Sequence, residues 1–363
     1  MKTTRLIIVG GFLGAGKTTM LWKAAQKLMD KGLNVGLITN DQAPELVDSA
    51  LLQQNNLKVA EVSGSCFCCN FNGFTDAIQK IRKEASADVI IAEPVGSCTD
   101  LSATIVQPLK QYWNSELQIS PLSVMADPIR LKSILEGDNA GLHPDAAYIF
   151  RKQLEESDII LINKTELLDK TELEALKQKT KVTYPSAIVY TMSAHMETGI
   201  DNWLEDVMTC NEAGKRIVDI DYDIYANGEA VLGWLNGTII LHGENTDWDK
   251  FTHNFLINLS KKLDNENYPV GHIKVISENK NRFIVGNITG KSDTITMRGS
   301  AGQCEDIKLI INARVETTPD KLDSIVKETL SAITNNKYTE NVLAWRFLQP
   351  GRPQPTYRFT EVV

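Results

Sequence analysis

The chain has 363 residues, 42% hydrophobic and 23% charged, with a net charge of −8 and a pI of about 5.3. That length exceeds one typical core of about 100 to 200 residues, so two domains are expected, and the ordinary hydrophobic content excludes a largely disordered chain. The acidic balance argues against a nucleic-acid partner, which needs a net basic face. Met1 to Arg5 run straight into a short apolar pattern without a leader or cleavage motif, and no apolar run approaches the roughly 20 residues of a membrane helix. The expectation is a cytoplasmic protein with no membrane partner.

The first half alternates short Val/Ile/Leu runs with amphipathic stretches, the pattern of βαβ units around a mostly parallel sheet. Strands are predicted at Leu6 to Val9, Val35 to Thr39, Val89 to Ala92, Leu122 to Met125, Ile159 to Ile162 and Ala187 to Thr191. The fold class is therefore α/β, a P-loop NTPase sheet with helices on both faces. The acidic, poorly periodic stretch from Gly214 to Gly228 reads as a linker. Placing the boundary there divides the chain into 1–214 and 215–363. The second unit reads as a ferredoxin-like α+β domain, with strands at Ala230 to Leu241, Ile273 to Ser277, Arg282 to Ile288 and Ile307 to Val315. Its helices are expected at Trp248 to Leu263 and Pro319 to Ile333, and the proline-rich tail as a strap or a frayed end.

Gly11-Phe12-Leu13-Gly14-Ala15-Gly16-Lys17-Thr18 matches G-x-x-x-x-G-K-[ST] between a strand and a helix. Backbone amides around Gly11, Gly14, Ala15 and Gly16 can cradle phosphates at the helix N-terminus. Lys17 would bridge the β- and γ-phosphates, Thr18 would ligate Mg²⁺, and Thr19 would lie near the α-phosphate. Glu93 ends a buried strand where the second magnesium-site acid belongs. Asp41, at the tip of Val35 to Thr39, is a further Mg²⁺ or water-holding candidate, and Asp127 a weaker one for which a capping role is as good a reading. Asn163-Lys164-Thr165-Glu166 follows the next strand. A carboxylate at Glu166 can accept from both guanine N–H groups, which adenine cannot supply. Ser193 and Ala194 could close the base pocket after the strand ending at Thr191.

Cys66, Cys68 and Cys69 place three thiols in four positions. Zinc or another thiophilic ion takes thiolates readily, and three leave a fourth tetrahedral position open. Thiol redox switching and inert buried thiols are the competing readings. Cys98, five residues past Glu93, becomes an additional ligand if the cysteine loop folds over the same sheet edge. Cys210 and Cys304 read as small buried hydrophobes.

With these motifs in this order, the chain resembles the CobW family of P-loop GTPases, relatives of the urease and hydrogenase nickel-insertion GTPases. The resemblance spans roughly residues 5 to 210 and rests on Gly11 to Thr19 followed by C-x-C-C at 66 to 69. It implies a GTPase that binds Mg-GTP and holds Zn²⁺ or Co²⁺ at the cysteines as a metallochaperone for a client metalloprotein. Lys17, Glu93 and Asp41 would then serve hydrolysis. A small-molecule kinase is disfavoured by the order of the elements. Three positions depart from the family pattern: Glu166 in place of Asp, Asp41 in place of Glu, and Cys98. Asp221-Tyr222-Asp223 and the segment from Glu229 to Asn236 resemble members associated with corrinoid-dependent methyltransferases, so a corrinoid protein is an alternative partner. The reading is compatible with a homo-oligomer and does not identify the metal or the client.

Overall fold

A computed structural model describes residues 3–41, 58–63, 66–279, 282–290, 295–335 and 337–363, excluding the side chains of Asp41 and Ser63. Among these residues the first half forms a parallel sheet of β1 (Thr4–Gly11), β2 (Val35–Asp41), β3 (Lys58–Ser63), β4 (Val89–Glu93), β5 (Leu117–Ile119), β6 (Ser123–Ala126), β7 (Ile159–Ile162) and β8 (Ile188–Thr191). The order is β3-β2-β4-β1-β6-β7-β8, with the short β5 also on β1. Every residue of β1, β4, β6 and β7 is buried, because helices cover both faces and leave no solvated side on which alternation could appear.

On one face lie α1 (Lys17–Asp30) and, later in the chain, a helix at Ile200–Thr209, which bury Met20, Leu21, Ala24 and Leu28 against Trp203, Leu204 and Val207. The other face carries α2 (Phe71–Glu84), a π-helical turn at Ser102–Val106 leading into α3 (Gln107–Trp113), α4 (Pro128–Leu135) and α5 (Pro144–Glu156). A short 3-10 turn, Thr165–Leu167, precedes α6 (Lys170–Thr183); the helix at Ile200–Thr209 is α7.

The stretch read as a linker is partly a structured element. Tyr222–Ala230 forms α8, capped by Asp221, whose carboxylate accepts from the amides of Asp223 and Ile224. Weak periodicity concealed this helix, because its burial rests mainly on Tyr225, Gly228 and Glu229 rather than on an apolar stripe.

The C-terminal sheet is wholly antiparallel, in the order β12-β11-β10-β13-β9-β14. Its strands are β9 (Gly233–Asp247), β10 (Val270–Asn279), β11 (Arg282–Ile288), β12 (Ile295–Ser300), β13 (Gln303–Val315) and β14 (Thr339–Leu348), of which β12 and β14 are additions to the predicted four. Both are largely exposed edge strands, so neither shows the apolar run that marks a buried strand. Helices α9 (Trp248–Asn265) and α10 (Pro319–Thr334) pack on one face, where Phe255, Leu259, Leu322 and Ile325 meet Ile273, Val275, Leu309 and Ile311. The alternate residues face the parallel-sheet half. Arg130 of α4 joins the two halves, donating to the carbonyls of Leu13 (3.0 Å), Val270 (3.2 Å) and Gly271 (3.0 Å). The two lone cysteines depart from their reading as core thiols: Cys210 and Cys304 are partly exposed. No described helix is long and apolar enough to cross a membrane.

Glu156, at the end of α5, is buried and accepts from Thr99 Oγ1 and the Ser102 amide, both at 2.9 Å. Burial pushes its carboxyl up to about 8 from an ordinary 4.5. Across that interval the folded chain holds a proton that the unfolded chain has lost. Its contribution to stability is complete at low pH and falls as pH rises toward 8. Glu156→Gln keeps the shape and has no proton to lose, so denaturant midpoints measured across this range should decline less steeply with pH than those of the parent. Equal slopes would exclude Glu156 as their source.

Candidate functional site

The carboxyl ends of β1, β2, β4, β6 and β7 converge on one edge of the parallel sheet, the position at which open α/β sheets bind ligands. The chain leaves β1 through Gly11, at φ +130°, where an added Cβ would stand 2.3 Å from the carbonyl oxygen of Met125. Only glycine fits there. Gly14 and Gly16 also have positive φ, and Gly16 opens α1 with its amides directed outward.

Lys17 Nζ donates to the carbonyls of Gly11 (2.8 Å) and Phe12 (3.3 Å) and lies 3.8 Å from Glu93 Oε1. Burial pushes its ammonium down, while Glu93 and Cys98 act in the opposite direction. Asn163 links two loops: its Nδ2 donates to Ala15 O and its Oδ1 accepts from the Ala194 amide, both at 2.9 Å. Lys164, left-handed at φ +57°, pairs with Asp127 at 2.9 Å. Asp127 also caps α4, accepting from the amides of Ile129 and Arg130, so the capping role offered for it is realised.

These residues line a cleft of about 1390 Å³ together with Gly14, Gly16, Thr18, Thr19, Glu93, Glu166 and Ala194. Glu166 is exposed. Ser193 does not line the cleft; its hydroxyl is buried and accepts from the Met196 amide. The side chain of Asp41 lies outside the described residues.

The cleft has a second wall that sequence reading missed. The face of the antiparallel sheet opposite its helices supplies His272, Lys274, Asn287, Arg298, Asn312 and Arg314. Lys274 Nζ donates to Thr18 Oγ1 and Arg298 to Thr19 Oγ1, each at 3.3 Å. Burial, with Lys164, Lys17 and Arg130 nearby, pushes His272 down to about 3, so it is neutral. The available signal was the alternation of polar residues with Ile273 and Val275 in β10.

The cysteines form a second site on the same sheet edge. Sγ atoms of Cys66, Cys68 and Cys69 lie within 4.8 Å of one another, at 3.0 Å for Cys66–Cys68 and 3.9 Å for Cys68–Cys69. A tetrahedral zinc with bonds of about 2.3 Å sets its sulfurs about 3.8 Å apart, so this donor set fits a thiophilic ion. Hydrogen bonds from Cys68, Cys69 and Cys98 hold the Cys66 thiol well below its ordinary range. Cys68 and Cys98 are pushed up, and Cys69 to about 11.

The proline-rich tail is a strap over this site. The amides of Thr356 and Gln354 donate to Cys68 O (2.8 Å) and Cys69 Sγ (3.2 Å). Tyr357 packs edge-on to Phe71, and Arg358 pairs with the buried Asp100 at 2.7 Å.

Two short connections join the sites. Asn40, at the tip of β2 and on the cleft wall, donates to Val62 O (2.7 Å) and accepts from the Phe67 amide (3.0 Å), between the first two cysteines. The segment from Glu93 to Cys98 runs from Lys17 to the cysteine group.

The family model described as CobW/HypB/UreG, nucleotide-binding domain, matches residues 5–191. The chain is 27% identical over 198 residues to the zinc chaperone CobW of Sinorhizobium sp., covering 47% of this chain and 54% of that protein. It is 24% identical over 209 residues to the zinc-regulated GTPase metalloprotein activator 1 of Dictyostelium discoideum, covering 50% and 44%. The chain thus spans about half the length of the curated relatives it matches. The Zn(II)-bound YjiA GTPase of E. coli aligns with 91% of this chain and 99% of its own, at 10% identity and a TM-score of 0.37.

Asn163→Ala removes both bonds between the glycine-rich loop and the Ala194 loop. At about 1 kcal/mol each, their loss should weaken GDP binding by up to roughly thirtyfold in calorimetric titration. Unchanged affinity would show that the loops hold their places without it.

Proposed function

Because the chain belongs to the CobW/HypB/UreG family, we propose that it is a GTP-hydrolysing metallochaperone. Its cargo is a divalent metal, zinc or cobalt, held by Cys66, Cys68 and Cys69 and passed to a client metalloprotein. The observation that carries this reading is the double connection between the nucleotide cleft and the thiols, through Asn40 and through residues 93 to 98. Zinc is favoured as cargo by the names of the relatives and by the thiol donor set.

In this reading, residues 1–214 bind and hydrolyse the nucleotide, and residues 215–363 cover its cleft. Amides from Gly11 to Gly16 receive the phosphates, Lys17 bridges the outer two, and Thr19 lies beside the first. Thr18, Glu93 and Asp41 would hold Mg²⁺, which neutralises charge on the phosphates. Asn163 and Ala194 shape the base pocket, supported from behind by Ser193, with Lys164 along the base and Glu166 accepting from the guanine N–H groups. Phosphate charge arriving beside Lys17 alters its contact with Glu93 at one end of the 93–98 segment. Asn40 transmits a shift of β2 to the cysteine turn at the other connection.

Zinc affinity, measured by chelator competition, should differ by about tenfold or more between the GTP-analogue and GDP forms, a coupling of roughly 1–3 kcal/mol. Asn40→Ala should still bind both ligands with that ratio reduced. Equal zinc affinity in both forms and without nucleotide removes the gating proposal. Glu166→Ala should lower the preference for GTP over ATP, read from competition binding; an unaltered preference assigns base selection elsewhere.

A further inference from the structure

Two cations of the antiparallel sheet reach the phosphate-binding segment from the opposite wall of the cleft. Lys274 Nζ of β10 lies 3.3 Å from Thr18 Oγ1, and Arg298 Nη1 of β12 lies 3.3 Å from Thr19 Oγ1. Both residues pair in register with the strand between them, Lys274 opposite Asn287 and Arg298 opposite Val285 of β11, and all four line the cleft. The same sheet touches the glycine-rich loop itself. A Cβ added to Gly14 would stand 2.6 Å from Thr289 Cγ2, and Arg130 fastens Leu13 to Val270 and Gly271. The two cations are thus held over the first turn of α1 by a sheet seated on the loop.

The charge of Arg298 sets it apart from other cations of the cleft. Lys17 has two carbonyls and Glu93, Lys164 has Asp127, and Arg130 has three carbonyls. Arg298 is half-buried, yet among the described residues its guanidinium has one partner, the Thr19 hydroxyl, and no carboxylate. Burial pushes that guanidinium down, with no opposite charge acting against it. A guanidinium offers five N–H donors in a fork, and drawing it out of water without a counter-charge is costly. A phosphate supplies both the negative charge and the paired acceptor oxygens that the fork lacks here.

Building on the nucleotide-binding part of the proposed function, we propose that Arg298 and Lys274 are nucleotide ligands supplied in cis by the C-terminal sheet, Arg298 on the first phosphate and Lys274 on the outer two. The assignment follows from the hydroxyl that each one touches, Thr19 being beside the first phosphate and Thr18 beside the outer ones. Lys274 cannot share the Thr18 hydroxyl with Mg²⁺, and the phosphate oxygens next to that hydroxyl are the acceptors to which its ammonium turns. Arg298 then holds diphosphate and triphosphate alike, whereas Lys274 gains most from the third phosphate. The nucleotide is gripped from both halves of the chain, and its last phosphate is read by the C-terminal one.

The test measures the affinity of the full chain for GDP and for a non-hydrolysable GTP analogue, both with Mg²⁺, by calorimetric titration. Arg298→Ala should weaken both on the order of tenfold and keep their ratio. Lys274→Ala should lower the ratio of analogue to GDP affinity on the order of tenfold. Arg298→Gln keeps a donor for Thr19 without the charge and should bind as weakly as Arg298→Ala, while Arg298→Lys should recover part of the loss. Far-ultraviolet circular dichroism verifies that the variants fold. Parental affinities in Arg298→Gln, or a parental ratio in Lys274→Ala, would overturn the proposal and leave the GTPase reading standing. A parent chain that binds neither nucleotide overturns both.

Discussion

The parallel pairing of β1 with β4 is the constraint on which both sites depend. With Ile8 opposite Ala92, the glycine-rich loop and Glu93 leave the sheet side by side, and Lys17 reaches the carboxylate. A slip of one residue would turn every buried side chain of β4 to the other face and move Glu93 away from the loop. Continuous burial of both strands makes such a slip costly, so the apolar core sets the geometry of the polar edge.

The same register places the thiols. β2 pairs with β4 and β3, which brings Asn40 opposite Val62 and starts the cysteine turn beside the nucleotide cleft. One side-chain amide then serves both places, with its oxygen on the Phe67 amide and its nitrogen on Val62 O. Buried and satisfied on both ends, Asn40 couples them more rigidly than a solvent-exposed contact could. The 93–98 segment forms a second path, anchored by Gln153 and Ser97.

The C-terminal half acts as more than an appended module. Its sheet buries an apolar face under α9 and α10 and turns a polar, cationic face toward the nucleotide cleft. Arg130 fastens the two halves through three carbonyls, and Lys274 and Arg298 reach the hydroxyls of Thr18 and Thr19. The tail returns to the first half and covers the thiols, so one unit closes the nucleotide site and the last residues close the cysteine site.

Local chemistry carried much of this in the order of residues alone. The glycine-rich loop, the strand-end acid, the Asn163 turn and the thiol trio are each contiguous, and their types and spacing express what a phosphate, a base or a soft metal requires. Buried parallel strands were equally legible, because short apolar runs between amphipathic stretches fit little except strands covered by helices on both faces. Helix α8 and the edge strands β12 and β14 were not, since their burial comes from partners distant in sequence rather than from a periodic stripe. The cationic roof was decided by tertiary structure: no local pattern tells which sheet face will meet a cleft. Proximity across hundreds of residues is a property of packing, and only the folded chain supplies it.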